Sequence, residues 1–166
     1  MCFPHRHSRD LAWTLQDEGR YPESEKLDRE LLGIQLRVLG PEDPDTLRTI
    51  CNLAATLEDE GRFAEAEKLE REVLEIQRRV LGPEHPDTAS SVYNLVCLAA
   101  RQGRKNEALS LLREAVDHGL PPFADLGIDK DDDLESLDGG PRFPALAARA
   151  KEVAQAATAA ATQKPK

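Results

Sequence analysis

Apolar residues recur with a helical period along most of the chain. Around residue 50 they stand at i, i+3, i+4 and i+7 and mark one helix face: Ile50, Leu53, Ala54 and Leu57. After Gly61 the same kind of spacing marks the face of a second helix: Leu69, Val73, Ile76 and Val80. The pattern therefore predicts two helices that are joined near Gly61.

This pair of helices is repeated. Residues 11–52 align with residues 53–94 at an offset of 42, and 27 of the 42 positions are identical. A third, weaker copy begins at Leu95 and fades after Leu120. Because a fixed period is the mark of a stacked repeat, we expect about three helical hairpins and no strands.

Two nearly identical octets, "LGPEDPDT" at 39–46 and "LGPEHPDT" at 81–88, separate the copies. Their glycines are expected to end one helix in a left-handed conformation, and their second prolines to begin the next. The residues concerned are Gly40, Gly82, Pro44 and Pro86. Asp45 and Asp87 then place a negative charge near the positive end of that helix. Three further glycines are expected to end the first helix of each copy: Gly19, Gly61 and Gly103.

Residues 52–76, "NLAATLEDEGRFAEAEKLEREVLEI", resemble a tetratricopeptide repeat, with a glycine at the turn, Phe63 two residues later and then Ala66. The usual period is about 34 residues, and the longer unit is similar to the repeats of kinesin light chains and of bacterial signalling proteins. The resemblance implies a right-handed all-α solenoid and a non-catalytic protein-binding role. The third copy departs from it, with Lys105 at the aromatic position and His118 where the earlier copies have isoleucine.

The helix face opposite the first apolar stripe is predicted to line a concave groove. It comprises Arg48, Asn52, Ala55 and Asp59 in the second copy, Ser90, Asn94, Cys97 and Arg101 in the third, and Arg6, Asp10, Trp13 and Asp17 in the first. We expect an extended or helical peptide to bind there.

Asn52 and Asn94 are the most informative residues of this face, because asparagine is a mediocre helix former. Its amide can bond both the N–H and the C=O of a peptide backbone. The resemblance implies a ladder of such asparagines, which Asp10 interrupts in the first copy. The alternative is that both residues tie neighbouring helices together or survive from a duplication.

Arg48, Arg101, Trp13 and Tyr93 are predicted to tune the choice of peptide, with the aromatic residues as anchors. For Trp13 the alternative is packing beneath the N-terminal ten residues. The predicted groove residues are Trp13, Arg48, Asn52, Tyr93, Asn94, Cys97 and Arg101.

The net charge of −9 over 166 residues argues against nucleic acid as a partner. Six acids and one base between Asp129 and Asp138 carry much of that charge, but Leu134 stands where a calcium loop needs glycine, so we expect a solvated loop. No signal peptide or membrane span is visible, and the three cysteines are widely spaced. We expect a cytoplasmic protein with reduced thiols, no membrane partner and no cofactor.

We predict an N-terminal extension at 1–7, the solenoid at 8–119, a helical C-terminal cap with the acidic loop at 120–157, and a disordered tail at 158–166. The cap helix is expected at 142–155, with Phe143 and Leu146 on its apolar side. The alternative function is structural. We expect the N-terminal end of the stack to be apolar, so that it either supports self-association or marks the chain as a piece of a larger signalling protein. An enzyme would need a metal at Cys2, His5 and His7, which lack a clear fourth ligand, so we expect no metal site.

Overall fold

The computed structural model describes residues 15, 18–118, 134, 137 and 142–162. Within those residues the regular structure is helical, with no strand. The helices are α1 (Tyr21–Val38), α2 (Pro44–Asp59), α3 (Phe63–Val80), α4 (Pro86–Arg101), α5 (Lys105–His118) and α6 (Arg142–Thr162). The chain divides into two compact units, residues 1–80 and residues 81–166, which are described in turn.

The turns between helices use glycine as the sequence predicts. Gly61 follows α2 with a φ of +77°, and the N–H of Arg62 donates to the carbonyl of Leu57 at 2.8 Å, which closes the helix with a left-handed C-terminal cap. Four more glycines have positive φ at the predicted positions: Gly19, Gly40, Gly82 and Gly103. The predicted helix ends are confirmed.

The octets also supply the N-terminal caps of α2 and α4, at the one position where they differ. Pro44 and Pro86 begin the two helices, as predicted. The Oδ1 atom of Asp43 accepts a hydrogen bond from the N–H of Asp45 at 2.9 Å. In the second octet, Nδ1 of His85 accepts from the N–H of Asp87 at 3.2 Å.

Asp43→Ala is therefore expected to lower the free energy of unfolding by about 1 kcal/mol, because an N–H at the start of α2 loses its acceptor. His85→Asp is expected to raise it by up to about 1 kcal/mol, because aspartate adds a negative charge at the positive end of α4. Urea unfolding followed by circular dichroism measures both values. Glu84→Ala, at an exposed position of the second octet, is the control. If Glu84→Ala lowers the free energy of unfolding as much as Asp43→Ala does, the capping role is contradicted.

In the first unit, the apolar face predicted for α2 packs against α1 and α3. One cluster contains Leu53, Ala54, Leu57 and Ala66, with Leu32 and Leu69 against it. A second contains Leu47, Ile50 and Val73, with Leu32, Leu69 and Ile76 against it. The predicted face of α3 is confirmed at these positions but not at Val80, which is 48% exposed at the end of the helix.

In the second unit, α4, α5 and α6 share one apolar core. Its members include Tyr93, Val96, Leu112, Val116, Phe143 and Leu146, together with Leu134 and Leu137. Arg149 of α6 also pairs with Asp117 of α5 at 2.7 Å. The apolar side predicted for the C-terminal helix thus contacts the third hairpin.

The helix α6 runs to Thr162, into the segment predicted to be a disordered tail. Residues 156–162 read "AATAAAT", and alanine is the strongest helix former.

Candidate functional site

Helix α2 leaves one stripe of its surface open. Arg48, Asn52, Ala55 and Asp59 are exposed or half-buried and fall within about 60° of one another around the helix axis. The remaining residues from Thr46 to Glu58 are buried, apart from the half-buried Cys51. The structure therefore places the four residues predicted for this face together on the open side of the helix.

The orientation of this stripe depends on how α2 begins and on what its buried side contacts. Asp43 and Pro44 set the start of the helix, and Asp45 pairs with Arg48 one turn later, with 2.9 Å between Oδ1 and Nη2. On the buried side, the hydroxyl of Thr56 donates to the carbonyl of Asn52 at 3.2 Å and lies 3.4 Å from the hydroxyl of Ser24 on α1. Contacts to α1 therefore hold α2 with Asn52 at the border of the open stripe.

Asn52 is half-buried near the middle of α2. Its side-chain amide makes no hydrogen bond to any other residue within the described part of the chain. An amide in this state offers one acceptor and two donors to a molecule that covers the stripe. A tie between neighbouring helices, the alternative reading of Asn52, has no support among these contacts.

Helix α4 of the second unit leaves a narrower stripe open. From Thr88 to Ala100 every residue is buried except Ser90 and Asn94, and Arg101 is exposed beyond them. The hydroxyl of Ser90 donates to the carbonyl of Pro86 at 2.9 Å. Asn94 and Arg101 thus lie on the open side, as predicted.

Tyr93 and Cys97 lie in the apolar core of the second unit and not on an open face. They are 2% and 3% exposed and belong to the cluster that contains Leu134, Leu137 and Phe143. Residues distant in sequence cover this side of α4, so neither side chain is available as a surface anchor. Trp13, the other predicted aromatic anchor, lies outside the described residues.

Arg62 forms ion pairs at the turn between α2 and α3 that were not anticipated from the sequence. Arg62 Nη1 lies 2.8 Å from Glu25 Oε1 and 3.0 Å from Glu60 Oε2, and Arg62 Nε donates to Glu65 Oε1 at 2.8 Å. Glu25 in turn pairs with Arg29 at 2.7 Å. The cluster connects α1 to the following hairpin.

These contacts shift the pKa values of the carboxyl groups. The hydrogen bond from Arg62 lowers the pKa of Glu65. Burial acts to raise the pKa of Glu25, but hydrogen bonds from Arg29 and Arg62 outweigh it, so the pKa of Glu25 is also lowered. The order Gly-Arg with glutamate three residues after the arginine recurs at 19–23, 61–65 and 103–107. It is a sequence signal for the local pair of Arg62 with Glu65, but not for the pair of Arg62 with Glu25.

The described ranges contain no candidate metal site. No group of three or more histidine, cysteine or acidic residues there has a geometry that could hold a metal ion. Cys2, His5 and His7 lie outside those ranges. Among the described helices, none has the length and apolar character needed to cross a membrane.

The helical hairpins of this structure agree with a match to a known family of repeat proteins. The family model for the tetratricopeptide repeat matches residues 6–79 and 52–118. Most of the chain is covered, so the chain belongs to the tetratricopeptide repeat family. No protein with a curated function matches it significantly.

Solved structures of repeat proteins share the fold. BtubC (BKLC) from P. vanneervenii superposes with a TM-score of 0.71 at 22% identity, covering 94% of this chain and 65% of that one. The nearly identical TPR-like repeats of a Podosopora anserina protein described as a kinesin light chain superpose with a TM-score of 0.62 at 25% identity, covering 94% and 74%. A single-substitution variant of that protein gives 0.64 at 25% identity, covering 93% and 74%. The chain thus spans less than two thirds of the BtubC structure.

The predicted fold class, an all-α solenoid of kinesin-light-chain-like tetratricopeptide hairpins, is confirmed by these matches. Repeats of this family generally mediate protein–protein interaction, and the fold is typically a non-catalytic scaffold. A protein partner is therefore the class of ligand that the family indicates.

Proposed function

We propose that this chain is a protein-binding module in which the amide of Asn52 on the open stripe of α2, and that of Asn94 on the open stripe of α4, each hold the backbone of an extended peptide segment. The observation that carries the proposal is the open stripe of α2, where the Asn52 amide bonds no other described residue. In a helical segment the backbone groups already bond one another. An extended segment leaves its N–H and C=O groups available, so the proposal specifies an extended ligand.

Charged residues near the asparagines are proposed to select among peptides. Arg48 is exposed one turn before Asn52, and Arg101 is exposed two turns after Asn94. An acidic side chain of a peptide on either stripe complements the guanidinium group of that stripe, although Asp45 already pairs with Arg48 at 2.9 Å. Because exposed pairs of this kind contribute little, we expect the charges to affect the choice of sequence more than the affinity.

A peptide selected from a random displayed library against the full chain provides the ligand for a test. Asn52→Ala is expected to raise its dissociation constant by about tenfold, because a buried hydrogen bond contributes about 1 kcal/mol and the peptide groups lose their partners. Alanine is the better helix former, so loss of folding cannot explain the weakening. Fluorescence anisotropy with a labelled peptide measures the constant.

Two controls make the result specific. Asn106→Ala changes an exposed asparagine of α5 outside both stripes and is expected to leave the affinity unchanged. Methylating the contacted backbone nitrogen of the peptide should weaken binding to the parent and have a smaller effect on binding to Asn52→Ala. If Asn52→Ala and Asn94→Ala both bind the peptide as tightly as the parent, the proposal fails.

A further inference from the structure

His85 caps α4 with an imidazole nitrogen at the position where Asp43 caps α2 with a carboxylate. The Nδ1 atom of His85 accepts from the N–H of Asp87 at 3.2 Å, and Oδ1 of Asp43 accepts from the N–H of Asp45 at 2.9 Å. An ordinary imidazole takes up a proton between about pH 5 and pH 8, whereas an ordinary aspartate stays charged over that range. The chain thus contains the same cap twice, once with a group that responds to mild acid and once with a group that does not.

The cap fixes which ring nitrogen of His85 carries the hydrogen. A neutral imidazole has one N–H and one unprotonated nitrogen. Because Nδ1 accepts from the N–H of Asp87, Nδ1 is the unprotonated nitrogen and Nε2 carries the hydrogen. A second proton must therefore bind at Nδ1. That nitrogen then becomes a donor and can no longer cap the helix.

A new acceptor for this donor lies close by. Oδ2 of Asp87 is 3.8 Å from Nδ1 of His85. The two side chains are 39% exposed for His85 and 51% exposed for Asp87, so a proton reaches the ring without any opening of the fold. A charged Nδ1–H forms a stronger hydrogen bond with a carboxylate than a neutral donor does.

The other charged groups around the start of α4 leave this pair undisturbed. Within the described part of the chain, Asp87 alone forms an ion pair with His85. Glu84, the acid next to His85 in the octet, is exposed. Because α4 and α5 form a hairpin, the end of α5 lies toward the start of α4, and its charged residues are Glu114, Asp117 and His118. Asp117 pairs with Arg149 of α6 at 2.7 Å. The arginines before the octet also have partners of their own: Arg78 with Glu75, and Arg79 with Glu42.

We propose that His85 is a pH-sensitive cap that loosens the first turn of α4 in mild acid. In the neutral form Nδ1 holds the N–H of Asp87, and in the protonated form Nδ1–H holds the carboxylate of Asp87 instead. The exchange leaves the N–H of Asp87 without its acceptor and places a cation at the positive end of the helix, which is unfavourable. A partly exposed ion pair recovers only part of that loss. The first turn of α2 keeps its cap, because Asp43 stays charged, and the open stripes of the proposed peptide site take no part in the exchange.

Heteronuclear NMR spectroscopy of the full, isotope-labelled chain tests both forms of the cap. At about pH 8 the ring of His85 should carry its hydrogen on Nε2. Between about pH 8 and pH 5 the backbone amide of Asp87 should shift together with the titration of that ring. Its hydrogen-exchange rate should rise about threefold or more relative to that of Asp45, because a lost cap exposes the N–H. The amide of Asp45 should not follow the titration.

The two octets provide the matched control. His85→Asp should abolish the response of the Asp87 amide, because a carboxylate then caps both helices. In the double variant Asp43→His, His85→Asp the response should move to the amide of Asp45. A response that follows the imidazole from one octet to the other identifies the capping residue as its cause.

Thermal unfolding at about pH 8 and about pH 5 measures the part played by the carboxylate. Asp87→Asn keeps the backbone donor but removes the acceptor of the protonated ring. Its melting temperature should therefore fall further in acid than that of the parent, by about 1–4 °C. Asp45→Asn makes the same change in the first octet, where no imidazole caps the helix, and should fall only as far as the parent.

Five results overturn the proposal. They are a neutral His85 ring with its hydrogen on Nδ1, an Asp87 amide that does not follow the titration of the ring, a response at Asp87 that survives His85→Asp, a double variant with no response at Asp45, and an Asp87→Asn variant that loses no more stability in acid than Asp45→Asn.

Discussion

Leu57→Ala is expected to lower the free energy of unfolding by about 2–5 kcal/mol. Leu57 is fully buried in α2, in the cluster with Leu53, Ala54 and Ala66. Truncation removes buried apolar surface and leaves a cavity, and both effects destabilise the fold. The loss is large against the total of about 5–15 kcal/mol that stabilises a typical domain. Urea unfolding followed by circular dichroism measures it.

Leu36→Ala is the control for this change. Leu36 lies on α1 in the same unit and is 43% exposed, so its truncation should cost about 1 kcal/mol or less. Equal losses for Leu36→Ala and Leu57→Ala would contradict the assignment of the core, because exposure would then have no bearing on the cost.

Gly61→Ala and Gly33→Ala are expected to change stability in opposite directions. Gly61 has a φ of +77°, and a Cβ added there meets nothing within 4 Å, so the cost comes from the backbone alone. A left-handed residue with a Cβ costs about 1–2 kcal/mol. Gly33 lies inside α1, where a Cβ also meets nothing within 4 Å, and alanine there should stabilise the helix by about 0.5–1 kcal/mol.

Thermal unfolding of the two glycine variants and the parent separates these effects. Since neither substitution creates a clash, a fall in melting temperature for Gly61→Ala with a rise for Gly33→Ala identifies backbone conformation as the cause. A Gly61→Ala variant as stable as the parent would show that the left-handed turn between α2 and α3 does not limit stability.

The ends of the helices were predictable from the sequence because they depend on neighbouring residues. Gly40 ends α1 and Pro44 begins α2 through their own backbone preferences. The cap that Asp43 forms on α2 is local too, and it lies at the one position where the two octets differ.

The open stripe of α2 was predicted correctly, while that of α4 was predicted only in part. Counting about 100° per residue from the apolar face locates Asn52 and Asn94 on the open sides of their helices. The same counting placed Cys97 on the open side and Tyr93 at or near it, yet both are buried in a cluster that includes Leu134 and Leu137. The period of a helix shows its first apolar face but does not show which remote segment covers a second one.

The sequence by itself determined the repeat, the family, the positions of the turns and the faces that carry the two asparagines, because each follows from a local preference or from a spacing that recurs. Only the tertiary structure decided that Tyr93 and Cys97 lie in the core, that Arg62 joins Glu25 to the next hairpin, and that the end of α1 stays exposed. These features depend on contacts between residues far apart in the chain. Such contacts form only when the helices pack, so no local pattern records them.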